Sequence, residues 1–218
     1  MKKYSILLFI IFISLSACGY PPTHDNNISG GSGAIPIITE PISIPPLPSR
    51  LTVNGEATSL NDTPLLTIGD ALILSPLILP TDTFDTMQFT SIDAFAGMKV
   101  LHIVPSIDTP ICSIQTRQLD NATSEFPDIS FFTISADTPF AMKRFADTNS
   151  IHGMQLLSDY QSNTFTKNNH MFLPEYALST RALIIVDAEN TVVYLEYAQE
   201  ITSEIDVVRA INFIRQNF

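Results

Sequence analysis

Cysteine is nearly absent from this chain. Cys18 and Cys112 are the only two cysteines among its 218 residues. So few thiols cannot staple a disulfide scaffold or fill a four-cysteine zinc site. No C-x-x-C pair is present either, because Gln115 stands three positions after Cys112 and Thr109 stands three positions before it. A dithiol enzyme for thiol–disulfide exchange is therefore disfavoured.

Basic residues are also scarce. The chain carries 11 Lys+Arg against 22 Asp+Glu, a formal net charge of −11 at pH 7. A protein of this sign repels the phosphate backbone of nucleic acids, so we expect no nucleic-acid partner. No glycine-rich phosphate loop is present, and the histidines lack the spacing of metal ligands, so we predict no metal and no cofactor. The histidines are His24, His102, His152 and His170.

A long apolar run is missing as well. The nearly apolar stretch from Tyr4 to Ser14 is shorter than the roughly 20 residues that span a bilayer. It follows Lys2 and Lys3 and leads into Leu15-Ser16-Ala17-Cys18, which resembles a bacterial lipobox. We therefore predict a lipoprotein signal peptide over residues 1–17 and lipidation of Cys18. The alternative is an ordinary secretory signal cleaved near residue 17.

A lipidated cysteine implies a protein that is tethered to a membrane but not embedded in it. Gly19 follows Cys18, whereas aspartate at that place is the usual signal for retention in the inner membrane. The expectation is an envelope lipoprotein that faces the periplasm and is anchored in the outer membrane. Residues 18–49 are rich in Gly, Ser and Pro and are interpreted as a flexible tether.

Residues 50–218 have the length of one domain. An Asn54-Gly55 pair between β-type residues predicts a hairpin over 51–58, and residues 61–97 are expected to hold short strands and loops. Alternating apolar runs and amphipathic stretches follow. They predict strands at 99–104, 129–135, 154–157, 182–186 and 191–197, and helices at 110–124, 139–148 and 203–218. This order indicates an α/β fold of thioredoxin-like pattern, with a central mixed β-sheet flanked by helices and an N-terminal β-hairpin.

The start of the first predicted helix holds Cys112. Thr109 is a preferred N-cap residue type and Pro110 suits the first helical position, so Cys112 falls in the first turn. The unpaired N–H groups there and the helix dipole favour a thiolate, which is the reactive form of the side chain. Asp108 works against this charge, so a reactive site needs a compensating basic residue.

Two arginines are candidates for that basic residue. Arg117 follows on the same helix, and Arg181 directly precedes the strand at 182–186. Taken alone, a single buried cysteine is more often an inert apolar residue. Likewise, an isolated arginine is more often part of a structural ion pair, and Arg117 fits that interpretation better than Arg181 does.

The segment from Pro105 to Cys112 matches the peroxiredoxin pattern P-x-x-x-T-x-x-C. Its residue sequence, Pro-Ser-Ile-Asp-Thr-Pro-Ile-Cys, resembles that of the bacterial thiol peroxidase branch. Segments 134–141, 181–187 and 200–204 fit the same branch, so the resemblance spans roughly residues 51–218. It implies that Cys112 is the peroxidatic cysteine, which attacks a peroxide and becomes a sulfenic acid. It also implies that Thr109 binds the peroxide, Pro105 shields the thiolate and Arg181 stabilises the developing negative charge.

The chain departs from that branch at one place. Many members carry a second, resolving cysteine after an Arg-Phe pair, but here Arg144-Phe145 is followed by Ala146. The resemblance therefore implies a one-cysteine thiol peroxidase that reduces hydrogen peroxide or organic hydroperoxides and is recycled by an external thiol. A homodimer is implied too, since homodimers are common in the family. The alternative is a non-enzymatic thioredoxin-fold lipoprotein that acts as a binding or redox-sensing module.

Several apolar segments admit two interpretations. Phe131-Phe132 and the stretch from Met142 to Phe145 fit core packing, and the alternative is an apolar mouth for bulky hydroperoxides. Met171-Phe172-Leu173 fits an exposed apolar loop near the site. His102, in the strand before the cysteine motif, is interpreted as a core or interface residue.

Overall fold

The computed structural model describes residues 34–218. The predicted signal peptide, Cys18 and the first part of the predicted tether lie outside the described residues. The strands are β1 (Thr52–Val53), β2 (Glu56–Ala57), β3 (Leu77–Ile78), β4 (Phe89–Thr90), β5 (Lys99–Ile103), β6 (Ser130–Ser135), β7 (Gln155–Ser158), β8 (Phe172–Leu173), β9 (Leu178–Ser179), β10 (Ala182–Val186) and β11 (Val192–Tyr197). The helices are α1 (Pro110–Ala122), α2 (Pro139–Asn149), α3 (Thr164–Asn168) and α4 (Val207–Asn217).

A seven-stranded mixed sheet is the centre of the fold, with the order β11-β10-β5-β6-β7-β3-β4. Strands β5, β6 and β7 are parallel, and α1 and α2 connect them, as the strand–helix–strand pattern predicted. Strand β10 runs antiparallel to β5, with Ile184 opposite Leu101. The thioredoxin-like α/β prediction is confirmed, and the carboxyl end of β5 leads directly into the loop that holds the cysteine motif.

Two apolar clusters cover the two faces of this sheet. One contains side chains of α1, α2 and α4 together with Val100 and Leu183 of the sheet. The other contains Phe165 of α3, Leu173 of β8 and the apolar side chains that precede β5. Side chains alternate between the faces along β5, so both clusters are anchored to the same strand. Within residues 34–218, none of the helices has the length and apolar character needed to cross a bilayer.

The N-terminal hairpin forms at the predicted Asn-Gly pair. Asn54 and Gly55 both have positive φ, 52° and 81°, which is the geometry of a tight type I′ turn. Its two strands form a small sheet of their own rather than joining the central one. The carboxylate of Glu200 holds the turn by accepting hydrogen bonds from the Gly55 N–H at 2.9 Å and the Thr52 hydroxyl at 2.9 Å.

The last helix begins later than predicted. Helix α4 starts at Val207 rather than at residue 203, because Asp206 is its N-cap and accepts a hydrogen bond from the Arg209 N–H at 2.8 Å. The sequence interpretation also missed α3 and the β8–β9 hairpin. Both are short, so neither shows a full period of apolar residues.

Residues 35–44 lie against α4, although the sequence favoured a flexible tether there. Ile35, Ile42 and Ile44 pack on the cluster that contains the helices. The Asn212 amide accepts from the Ile38 N–H at 2.8 Å and donates to the Pro36 carbonyl at 2.9 Å. The backbone groups of this extended segment thus form hydrogen bonds with side chains and not with another strand. A segment of this kind has no periodic pattern of apolar residues from which it could be predicted. The domain boundary predicted at residue 50 stays a prediction.

Candidate active site

The first turn of α1 places Cys112 beside Thr109. Thr109 has the extended backbone of an N-cap residue, as predicted, yet its side chain makes no capping hydrogen bond. Its hydroxyl instead lies 2.8 Å from the Cys112 sulfur and 2.9 Å from the Ser106 carbonyl. The hydroxyl has one proton to donate, so these two acceptors share it. The Thr109 hydroxyl can therefore rotate to donate its proton either to the Cys112 sulfur or to the Ser106 carbonyl.

Cys112 itself is fully buried, in the apolar cluster formed by the helices. It is a free cysteine, and no other cysteine occurs among residues 34–218. Ala146, at the place where the related branch often carries a resolving cysteine, packs partly buried against the same cluster. Within the described part of the chain, Cys112 therefore has no partner for a disulfide.

A cavity of about 420 Å³ opens next to this turn. Pro105, Thr109 and Arg181 all line it, so the structure brings together three of the four residues that the sequence assigned to the site. The fourth, Cys112, is connected to the cavity through the Thr109 hydroxyl. Most of the remaining wall is apolar: Val53, Pro110, Ile111, Leu173, Tyr176, Leu178 and Ile201, together with Thr202.

Arg181 is a buried cation without a carboxylate partner in the described structure. Its side chain is 3 % exposed. Its Nε donates to the Ile201 carbonyl at 3.0 Å, and its Nη1 donates to Oε1 of Gln115 at 3.4 Å. Among residues 34–218, no acidic side chain forms an ion pair with it. Buried charges are normally paired, so this guanidinium gives the cavity a strong preference for an anion.

The field of Arg181 reaches His102, one strand away in the same sheet. His102 is fully buried, and its Nδ1 lies 3.3 Å from the Thr133 hydroxyl. Burial, with a further contribution from the Arg181 charge, lowers the pKa of His102 to about 3. His102 is therefore a neutral core residue, which agrees with its sequence interpretation.

The charged side chains near the motif contact partners other than Cys112. Asp108 forms an exposed ion pair with Arg144 of α2, at 3.3 Å. Arg117 donates to the Ser113 hydroxyl at 2.7 Å and to the Asn149 side-chain oxygen at 3.1 Å. Arg117 thus links α1 to α2, and the interpretation of this arginine as structural fits its contacts better than a role beside the sulfur.

Of the apolar segments with two interpretations, some lie in the core and one lies partly at the cavity. Phe131, Phe132, Met142 and Phe145 are buried in the two clusters and do not line the cavity. The stretch from Met171 to Leu173 is not an exposed loop, because both of these residues are buried. It contains β8, which pairs with β9 and presents Leu173 to the cavity.

Sequence reasoning missed two contributors to the site. Gln115 is 2 % exposed and orients Arg181, while its Nε2 donates to the Ile205 carbonyl at 2.7 Å. Tyr176 lies between β8 and β9, lines the cavity and is exposed. The signal for Gln115 was available, because a polar residue three positions after Cys112 lies on the same face of the helix. No local signal announced Tyr176.

Within residues 34–218, no cluster of three or more His, Cys, Asp or Glu side chains is arranged to hold a metal ion. The reactive groups at the cavity are a thiol, a hydroxyl and a guanidinium. The prediction that no metal is used stays a prediction.

Comparison with known proteins gives consistent results. The Redoxin family pattern matches residues 79–211. A thiol peroxidase of Streptococcus agalactiae is 38 % identical over 137 residues, which are 62 % of this chain and 81 % of that protein. A thiol peroxidase of Clostridium acetobutylicum is 36 % identical over 105 residues, 48 % of this chain and 64 % of that protein.

Solved structures show the same fold. A peroxiredoxin-like protein from Aquifex aeolicus superimposes with a TM-score of 0.66 at 22 % identity, covering 77 % of this chain and 96 % of that chain. A thiol peroxidase from Chromobacterium violaceum gives a TM-score of 0.65 at 20 % identity, with 77 % and 95 % covered.

Proposed function

We propose that this chain, which belongs to the redoxin family and is a thiol peroxidase of the peroxiredoxin type, reduces hydroperoxides through a single cysteine, Cys112. Thr109, Pro105 and Arg181 complete the site in this proposal. An external thiol reduces the oxidised cysteine. Hydrogen peroxide and organic hydroperoxides are the substrates, and the apolar wall of the cavity favours the organic ones.

One observation carries the assignment of the residues. Arg181 is a buried guanidinium without a carboxylate partner in the described structure, and it lines the same cavity as the hydroxyl that touches the Cys112 sulfur. A thiolate at Cys112 supplies the missing negative charge. In this proposal the same guanidinium and the Thr109 hydroxyl bind the peroxide oxygens, on which negative charge develops during the reaction.

The first half of the reaction consumes the peroxide. The Cys112 thiolate attacks the terminal oxygen of ROOH, which carries the hydrogen; a sulfur–oxygen bond forms and the oxygen–oxygen bond breaks. The leaving group departs as alkoxide and takes a proton to become ROH, or water when the substrate is H₂O₂. Cys112 is left as the sulfenic acid, oxidised by two electrons.

The second half restores the thiol. A thiol R′SH attacks the sulfenic sulfur and releases water, which gives a mixed disulfide at Cys112. A second R′SH attacks that disulfide, releases the Cys112 thiolate and forms R′SSR′. Because the Cys112 side chain is fully buried, the first turn of α1 must open before the reductant reaches the sulfur.

The test uses the full chain carrying Cys18→Ser, so that Cys112 is the only thiol. Rapid mixing with H₂O₂ and with cumene hydroperoxide, in the presence of dithiothreitol, should give multiple turnovers, and Cys112→Ser should abolish them. Mass spectrometry after one equivalent of peroxide should show one added oxygen at Cys112. A parent protein that shows no turnover with either peroxide would contradict the proposal. So would an internal Cys18–Cys112 disulfide in the unsubstituted chain.

We further propose that Cys18 is lipidated after removal of residues 1–17 and that the enzyme faces the periplasm from the outer membrane. The support is the lipobox-like segment that ends at Cys18. Metabolic labelling with a radioactive fatty acid should mark the wild-type chain but not Cys18→Ser, and membrane fractionation should place it with outer-membrane markers. We also propose a homodimer, which analytical ultracentrifugation tests directly.

A further inference from the structure

The loop between β5 and α1 is held by a carboxylate from another part of the sheet. Asp137 follows β6, and its Oδ1 accepts a hydrogen bond from the Ser106 hydroxyl at 2.8 Å. Its Oδ2 accepts from the Ile107 N–H at 2.8 Å and from the Ser135 hydroxyl at 2.6 Å. Three donors therefore converge on one half-buried carboxylate. Hydrogen bonds to a charged acceptor are about twice as strong as neutral ones. Asp137 therefore holds the loop between β5 and α1 firmly, and we call this set of contacts the Asp137 brace.

The brace continues to the reacting sulfur. The Ser106 carbonyl accepts hydrogen bonds from both the Thr109 N–H, at 3.2 Å, and the Thr109 hydroxyl, at 2.9 Å. The same hydroxyl lies 2.8 Å from the Cys112 sulfur. The Ser106 carbonyl thus holds both the backbone and the side-chain oxygen of Thr109 in place next to the Cys112 sulfur. An unbroken series of contacts joins Asp137 to Ser106, Thr109 and Cys112.

We propose that Asp137 is a positioning residue for peroxide reduction: it fixes Ser106 and Ile107 so that the Thr109 hydroxyl stays within hydrogen-bonding distance of Cys112. Asp137 lines no part of the cavity, so it acts through Thr109 and not on the substrate. This inference rests on the proposed function of Cys112. Asp137 affects the rate only through the position of Thr109. Such an effect can be large, since a displacement of about 1 Å at a reacting group can cost on the order of 10²-fold in rate.

The chain offers a matched control in Asp120. This carboxylate, near the end of α1, accepts from the Gly153 N–H at 2.8 Å, the Met154 N–H at 3.0 Å and the His152 N–H at 3.2 Å. It is a brace of the same kind, but it lies eight residues beyond Cys112, about 12 Å along the helix. Its loss removes as many hydrogen bonds without touching the loop that carries Thr109.

The experiment measures the second-order rate of Cys112 oxidation by H₂O₂ in the full chain with Cys18→Ser. Asp137→Ala should react about 10- to 100-fold more slowly than the parent. Asp137→Asn should recover most of the rate, because its amide oxygen still accepts from Ile107 while its NH₂ donates to the Ser106 hydroxyl. Asp120→Ala should lower the melting temperature and react at the parent rate. If Asp137→Ala does not fold, Ser106→Ala provides the comparison and should react more slowly than both the parent and Asp137→Asn.

A double-mutant cycle separates positioning from general loosening. If Asp137 acts through Thr109, the effect of Asp137→Ala should largely vanish in a Thr109→Val background. Equal rates for Asp137→Ala and the parent, or an undiminished effect in the Thr109→Val background, would overturn the inference while leaving the proposed function intact. A parent without peroxide reactivity would instead overturn the proposed function.

Discussion

The Arg181 guanidinium and the Gln115 amide contact each other at 3.4 Å, both almost fully buried. Gln115 reaches from α1, the helix that carries Cys112, and Arg181 directly precedes β10, so the contact fixes the cation relative to the thiol. The other end of the amide donates to the Ile205 carbonyl. Gln115 thereby sets the distance between the two charges on which the proposed reaction depends.

Gln115→Leu should impair the enzyme by releasing Arg181. The leucine has a similar volume but no acceptor, so we expect the rate of Cys112 oxidation to fall about 10-fold. Stability should also fall, by about 1–3 kcal/mol, since buried polar partners are left unpaired. Asn169→Leu is the control, because that buried amide forms hydrogen bonds with the Ile73 backbone, which lies outside the site. It should cost similar stability, measured by urea unfolding, and leave the rate unchanged.

Arg181→Met tests the charge itself. The loss of a preorganised donor of this kind costs about 10²–10³ in rate, and we expect a reduction of that size with both H₂O₂ and cumene hydroperoxide. The stability should change little, because an apolar side chain of similar length avoids the burial of an unpaired charge. Arg181→Lys keeps the charge without the fork of donors and should fall between parent and Arg181→Met. Equal rates for parent and Arg181→Met would contradict the role assigned to Arg181.

His102 makes the fold sensitive to acid in a definite window. The pKa of His102 is about 3 in the fold and 6.5 for an ordinary histidine, chiefly because of its burial. Between those values the unfolded chain binds a proton that the native protein does not. The stabilisation is therefore complete above pH 6.5 and declines by about 1.4 kcal/mol per pH unit as the pH falls through the window.

Denaturant unfolding of His102→Asn and the parent between pH 7 and pH 4 checks this slope. On acidification the free energy of unfolding of the variant should decline less steeply than that of the parent. The two slopes should differ by the uptake of about one proton on unfolding. His152→Asn, which removes an exposed histidine, is the matched control for the substitution. Parallel pH profiles for the parent and His102→Asn would rule out the proposed titration.

The apolar wall of the cavity should affect substrates unequally. Leu178→Asn places an amide in that wall, so the rate with cumene hydroperoxide should fall about 10-fold, while the rate with H₂O₂ stays within about twofold. Leu74→Asn, a change at an exposed leucine outside the cavity, should alter neither rate. The ratio of the two rates is the measurement, and an equal loss with both peroxides would show that the wall does not contact the substrate.

Local signals explain why much of the fold could be predicted from the sequence. The strands around Leu101 and Ile184 are largely apolar runs, and Thr109-Pro110 is a strong helix start. The parallel pairing of β5, β6 and β7 then follows from the connections through α1 and α2. The boundary of α4 was missed by four residues, because the capping carboxylate of Asp206 competes with an earlier start that the apolar period alone suggested.

The site could be predicted only where it is local in sequence. Thr109 and Cys112 lie one helical turn apart, so their contact follows from the motif. Arg181 was placed there through resemblance to a family, and its lack of a carboxylate partner in the described structure became visible only in three dimensions. The brace from Asp137 joins two loops about 30 residues apart, as the 2.8 Å contact with the Ser106 hydroxyl shows. No periodicity or spacing rule encodes such a pairing.

The segment at residues 35–44 leads to a last prediction, about stability. Ile42 is half-buried on the cluster of helices, and its N–H donates to the Gln216 side chain at 2.8 Å, whereas Ile37 is 76 % exposed. Ile42→Ala should therefore lower the free energy of unfolding by about 1–2 kcal/mol, while Ile37→Ala stays within about 0.5 kcal/mol. Urea unfolding of the full chain measures both. Because the segment lies on α4 and not at the cavity, neither change should alter the peroxide rate. If the two alanines were equally harmless, the packing of the Ile42 side chain on the cluster of helices would contribute nothing to stability.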